Sequence, residues 1–113
     1  MPRIRHKEAF IAIRPRETVE AGAAELARQC EHRATGDTRG ALAAYAWALD
    51  PAGPAPVTGR VVRGPVAELD LAVEERAAID RARDPRHSAA DRAFARGAAG
   101  ALEWLLGFSP IGV

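Results

Sequence analysis

The sequence predicts a mainly α protein, two helical hairpins forming a four-helix bundle behind a short N-terminal strand or arm. Three observations carry that prediction. The 113 residues are 48% hydrophobic but only 5% aromatic, so alanine and aliphatic side chains must build the core, which favours closely packed helices over a β-sandwich. Apolar residues recur at three- and four-residue spacing in four stretches bounded by capping and breaking residues. Finally, RGALAAYAWAL (Arg39 to Leu49) is echoed by RGAAGALEWLL (Arg96 to Leu106), identical at six of eleven positions and aligning Trp47 with Trp104, the only two tryptophans. The echo places equivalent helices in two equivalent hairpins, an arrangement that lets each hairpin bury the apolar face it would otherwise expose.

Taken in order, residues 1–16 form a basic arm: Arg3, Arg5, Lys7, Arg14 and Arg16 stand against a single Glu8, a local excess of +4. The β-branched and aromatic residues around Phe10, Ile11 and Ile13 predict a short strand or ordered arm that Pro15 ends. Hairpin 1 occupies 18–50. Its first helix runs from Val19 to Ala34, with Thr18 as cap, Val19, Ala23, Leu26, Cys30 and Ala34 inward, and Gly36 as terminator. Asp37 then caps a second helix that must stop by Asp50 because Pro51 follows.

Residues 51–64 read as a linker stiffened by Pro51, Pro54 and Pro56 and relieved by Gly53, Gly59 and Gly64, with room for a short strand at Val61 and Val62. Hairpin 2 spans 65–107. Its first helix extends from Pro65 to Arg83 with Val66, Leu69, Ala72, Val73 and Ile79 on one side. Glu68, Glu74, Glu75, Arg76, Asp80 and Arg81 are assigned to a solvated face. Asp84-Pro85 breaks that helix, Ser88 caps the next, and Phe94, Ala98, Ala101, Leu102 and Leu105 form its inner stripe up to Gly107. The tail 108–113 is apolar and is expected to pack on the body or on a partner.

One domain of this size buries roughly two thirds of its unfolded surface without metal or disulfide support. A net charge of +1 is too balanced for an evident polyanion binder, and the apolar run Ala9 to Ile13 is too short for a membrane span or a signal core. A cytoplasmic protein with no membrane association is therefore expected. Cys30 is the sole cysteine, so no internal disulfide exists. Cys30 and His32 point about 200° apart on a helix and cannot share an ion, so the expectation is an inert, buried Cys30 and no metal or cofactor.

No catalytic residues are proposed, because no phosphate-binding glycine loop, nucleophile elbow or HExxH motif occurs. Glu74 and Glu75, as neighbours, do not make an acid–base pair. An enzyme built from this chain needs a pocket faced by groups such as Arg39, Arg96, His32 or Glu103. Small residues on the echoed helices, Gly40, Ala44 and Ala48 on one and Gly97 and Ala101 on the other, predict a close helix crossing within the monomer or across a dimer. Trp47 and Trp104 are expected in the core or at its edge, and Arg39 and Arg96 in salt bridges to a neighbouring helix.

The alanine-rich helix ending in Trp47-Ala48-Leu49, the PAPVTGR run from Pro54 to Arg60 and the ARGAAGALEWLLG segment from Ala95 to Gly107 together resemble small uncharacterised proteins of actinobacteria, often linked with mobile elements or prophage. The resemblance covers Arg39 to Arg60 and Asp91 to Gly107. It implies no activity.

The functional expectation is a non-enzymatic interaction or regulatory protein that self-associates and binds another protein. The candidate partner-binding residues are Phe10, Ile11, Ile13, Phe108 and Ile111, apolar side chains outside the bundle. The alternative is accessory nucleic-acid binding through Arg3, Arg5, Lys7, Arg60 and Arg63, whose cations can meet phosphates.

Overall fold

A computed structural model describes residues 9–108. Two short strands, β1 (Phe10–Ile11) and β2 (Arg14–Pro15), pair antiparallel through a two-residue turn. Ala12 in that turn holds φ at 55°, the left-handed region that disfavours a side chain. Four helices follow: α1 (Arg16–Arg33), α2 (Gly36–Leu49), α3 (Glu68–Arg83) and α4 (Ala89–Leu106). The expected four-helix architecture with a short N-terminal strand is therefore present. Val61 and Val62, where a strand had been expected, are not in one.

Helix α4 follows its local signals closely. The Ser88 hydroxyl accepts the Asp91 N–H at 3.0 Å, and Gly107 closes the helix at φ 85° with its N–H on the Trp104 carbonyl. The other ends differ from expectation. Helix α1 starts at Arg16, behind Pro15, so Thr18 lies inside it, and it ends at Arg33 with extended Ala34. Thr35, not Asp37, caps α2: its hydroxyl accepts the Thr38 N–H at 3.1 Å while its own N–H donates to Thr38 Oγ1 at 2.9 Å. Gly36 is consequently the first residue of α2 and not the terminator of α1. Its lack of a side chain serves packing, since a Cβ there would lie 2.8 Å from that of Ala93. Helix α3 starts at Glu68, three residues after Pro65, with Asp70 accepting the Ala67 N–H at 2.9 Å.

The central contact is between the two echoed helices. Gly36 faces Ala93, Gly40 lies on the Phe94 backbone, and Tyr45 meets Trp104, so α2 and α4 run parallel. Gly40 and Gly97 permit the crossing. A Cβ at Gly40 would come within 2.8 Å of the Phe94 carbonyl carbon, and one at Gly97 within 2.6 Å of the Asp37 carbonyl carbon. A shift of 57 residues carries Gly40 to Gly97 and Asp37 to Phe94, so the two contacts exchange under it, as a local two-fold relation requires. The small-residue crossing lies within the monomer.

Helix α1 packs on α2 and α3 packs on α4, each as the outer arm of a hairpin. The core is built from Val19, Ala44, Trp47, Ala48, Leu71, Ala78, Ala98, Leu102 and Leu105. In α3 the buried face passes through Leu71, Glu74 and Ala78, a different stripe from the one expected: Leu69 is 73% exposed and Val73 39%. Cys30 is half-buried and not enclosed.

Candidate interaction surfaces

Parallel α2 and α4 place two helix C-termini side by side, and neither has a basic residue in its last turn. Aligned negative dipole ends and unsatisfied carbonyls call for cations. The N-terminal hairpin supplies them. Arg14 Nε donates to the Trp104 carbonyl at 2.6 Å, and its guanidinium carbon lies 4.6 Å from the centre of a Trp104 ring. Arg16 Nη2 donates to the Leu49 carbonyl at 2.7 Å and Nε to Glu20 at 3.2 Å. Two cations of the basic arm thus tie the hairpin to the helix ends, and Arg14 is only 5% exposed. At the opposite end Arg96 pairs with Asp37, Nε to Oδ2 at 2.9 Å and Nη2 to Oδ1 at 3.1 Å, fastening α4 to the first turn of α2. That bridge was the role expected for Arg96.

The linker is not a free spacer. Ala55 and Val57 are buried, and Glu74, 1% exposed, accepts three hydrogen bonds from this segment: the Val57 N–H at 2.5 Å, the Thr58 N–H at 3.0 Å and the Thr58 hydroxyl at 2.6 Å. Assigning Glu74 to a solvated face was wrong, because the linker folds back over α3 and places its amides there. Pro54 and Pro56 lie along α2 beside Ala43 and Trp47, with Phe94 of α4 beyond, leaving a cavity of about 320 Å³. Trp47 is 5% exposed, in the core as expected, and its indole N–H has no partner among the described residues.

On the other side of the central pair, α1, α2 and α4 enclose an open groove of about 610 Å³. Its apolar surface includes Leu26, Ala41, Tyr45 and Trp104, while Gly97 and Gly100 keep the α4 side low. The Tyr45 and Trp104 rings meet edge to face at 5.7 Å. Burial raises the Tyr45 hydroxyl above the ordinary phenol range, the Arg14 cation opposing it weakly. Polar groups stand at the rim: Glu25, Asp37, Thr38 and Arg96. A hydrogen bond from Arg28, with a further one from Gln29, holds the Glu25 carboxyl below its usual range.

The two surfaces correspond. The 57-residue shift maps Ala43, Trp47 and Phe94 of the linker-covered side onto Gly100, Trp104 and, in reverse, Asp37 of the open side. One of two related faces is occupied by the chain's own linker, and the other is open.

Of the sequence-predicted partner residues, Phe10 (57% exposed), Ile13 (54%) and Phe108 (68%) are exposed on the hairpin and the adjoining end of α4, where Ile13 lies over Gly107. Ile11 is corrected: it is 5% exposed and belongs to the core cluster, because its strand turns that side chain inward. Ile111 lies outside the described residues, as do Arg3, Arg5 and Lys7. Arg60 pairs with Asp70 at 3.5 Å, and Arg63 is exposed. Among the groups an enzyme pocket would draw on, only Arg96 lines the open groove, while His32 is exposed beside Glu25, Arg28 and Arg33 on α1. Among the described residues no three His, Cys, Asp or Glu side chains converge to hold a metal, and no helix is long and apolar enough to cross a membrane. No protein-family model, curated protein or solved structure matches the chain.

Sequence reasoning missed Glu74, the capping roles of Arg14 and Arg16, and the groove. Glu74 lies three residues after Leu71 and four before Ala78, but neither of those belonged to the expected stripe, so no local signal marked it. The groove was not legible either, because it depends on which helices become neighbours.

Proposed function

We propose that the protein is a non-enzymatic interaction protein that self-associates and acts by binding another protein. The observation that carries this reading is the exposure of Phe10, Ile13 and Phe108 on adjoining elements at one end of the molecule. Three large apolar side chains there form a surface that water solvates poorly and a second protein surface covers well. The resemblance to mobile-element-associated proteins fits a regulator of this kind. The nucleic-acid alternative draws less support, since Arg60 is engaged by Asp70, and Arg14 and Arg16 by helix ends.

Sedimentation equilibrium tests the reading. The wild-type chain is expected to be oligomeric at micromolar concentration, and the Phe10→Ser/Phe108→Ser double variant monomeric with unchanged helical circular dichroism. A monomeric wild-type protein across the whole concentration range would remove self-association. An electrophoretic shift at low salt that is lost when Arg60 and Arg63 become Ala would favour the alternative.

A further inference from the structure

We propose that the open groove between α1, α2 and α4 binds an extended segment of a partner protein made of proline and small aliphatic residues, the chemistry of Pro54–Val57. The argument starts from the paired face. There the chain lays Pro54-Ala55-Pro56-Val57 beside Trp47 and fixes it by directing the Val57 and Thr58 amides at one carboxylate of an outer helix, Glu74. Proline suits that position because its fixed φ leaves little conformational entropy to lose and it brings no N–H to satisfy.

The open face presents the same kinds of part. Trp104 stands where Trp47 stands on the paired face. An outer helix, α1, contributes a carboxylate at the rim, Glu25, whose side chain is 54% exposed where Glu74 of α3 is 1% exposed. Among the described residues Glu25 bonds only Arg28 and Gln29 of its own helix, both through exposed contacts. Gly100 replaces Ala43 and has no atom within 4 Å of where its Cβ would be, so the open side is the roomier of the two. The volume, about 610 Å³, is that of a binding cleft and not of a packing defect. The Asp37–Arg96 pair at one end offers a donor and an acceptor to the backbone of an extended guest.

The test uses the full chain and a capped synthetic peptide of linker sequence, GPAPVTGR, with GSASGTGR as control. Titration followed by amide NMR is expected to shift the Gly22, Gly97 and Gly100 signals with the first peptide and not the second. Gly100→Leu fills the groove from α4 and is expected to weaken binding at least about tenfold, equivalent to 1.4 kcal/mol. Gly22→Leu does the same from α1, so one misfolded variant does not decide the outcome. Absence of shifts at millimolar peptide overturns the proposal, and so do shifts confined to Gly53 and Gly59, which would mean displacement of the linker. Binding only to a chain truncated after Gly107 also overturns it. That result would give the groove to the chain's own tail, where Pro110 and Val113 repeat the spacing of Pro54 and Val57. The self-association assay reads Phe10 and Phe108, so the two ideas fail separately.

Discussion

Replacing Glu74 with alanine tests whether the linker is a structural layer or a tether. The carboxylate, itself 1% exposed, accepts two backbone amides and one hydroxyl from Val57 and Thr58 at 2.5 to 3.0 Å. Hydrogen bonds to a charged group contribute about 1.5–3 kcal/mol each, so three total roughly 5–9 kcal/mol before the offset. Removing the side chain also removes a buried charge, and relief of its desolvation returns several kcal/mol. The Val57 amide, which Glu74 alone satisfies, is left unpaired in an apolar setting at about 1–3 kcal/mol. The net expectation is a loss of about 3 kcal/mol, a large share of the stability of a domain this size.

Glu74→Gln can keep both amides on its single carbonyl oxygen, since Oε2 accepts both, and turns its amino group to the Thr58 hydroxyl, which can accept; it loses only the charge assistance, about 1–2 kcal/mol. Urea unfolding by circular dichroism gives both numbers, and tryptic cleavage after Arg60 reports whether the linker lifts locally before the helices unfold. A Glu74→Ala protein within about 0.5 kcal/mol of wild type, cut no faster at Arg60, would refute the reasoning.

Other substitutions separate neighbouring effects. Gly97→Ala drives a methyl into the Asp37 backbone and should lower stability by about 2–3 kcal/mol. Gly100→Ala, three residues on with open space around it, should raise stability by about 0.5–1 kcal/mol, and thermal melts that move in the same direction would contradict the close crossing. Arg14→Met keeps much of the apolar bulk but removes the cation from the Trp104 carbonyl and ring. It should lose about 2 kcal/mol and shift Trp104 fluorescence, and an unchanged emission maximum would count against the stacked geometry. Glu75 has its carboxyl raised by burial first and then by the Glu103 charge on α4, so the folded state takes up the proton more readily. The wild type then gains stability as pH falls from 7 through the raised value toward the unfolded one. Glu75→Gln should be about 0.5 kcal/mol more stable at pH 7, with the gap closing near pH 4, and a gap that widens on acidification would reverse the sign.

The parts of the fold legible in the sequence were those whose signals are local. Ser88, Asp91 and Gly107 bound α4, and Ala98, Leu102 and Leu105 line it, because capping and periodicity there agree. Where a residue answers to a distant partner the sequence misleads. Gly36 has the composition of a helix terminator, yet its place is set by Ala93, 57 residues away. Glu74 reads as solvent-facing until the linker amides are placed over it. Arg14 and Arg16 look like part of a polycationic arm and instead answer two carbonyls that become neighbours only because α2 and α4 are parallel.

That parallel pair also explains why the two faces of the molecule differ. Antiparallel hairpin partners α1 and α3 complete each half, and the 57-residue correspondence sets Trp47 and Trp104 at matching places in the grooves beside α2 and α4. Only one connection, residues 50–67, joins the halves, and it must leave the C-terminal end of α2 and reach α3 packed on α4. Its path lies across the groove on the α3 side, where Glu74 receives it. Within the described residues nothing equivalent crosses the groove on the α1 side, since the segment that precedes α1 is a hairpin held at the helix ends by Arg14 and Arg16. Chain connectivity therefore adds to the side-chain differences, Gly100 for Ala43 and Asp37 for Phe94, in making the two faces unequal. Grafting Pro54–Thr58 through a flexible spacer after Phe108 should close the open groove and shift the Gly22 and Gly100 amide resonances. A shift that is lost on replacing both prolines of the graft with glycine would tie it to the extended segment, and no shift at all would show that the matched tryptophans do not make the two faces equivalent.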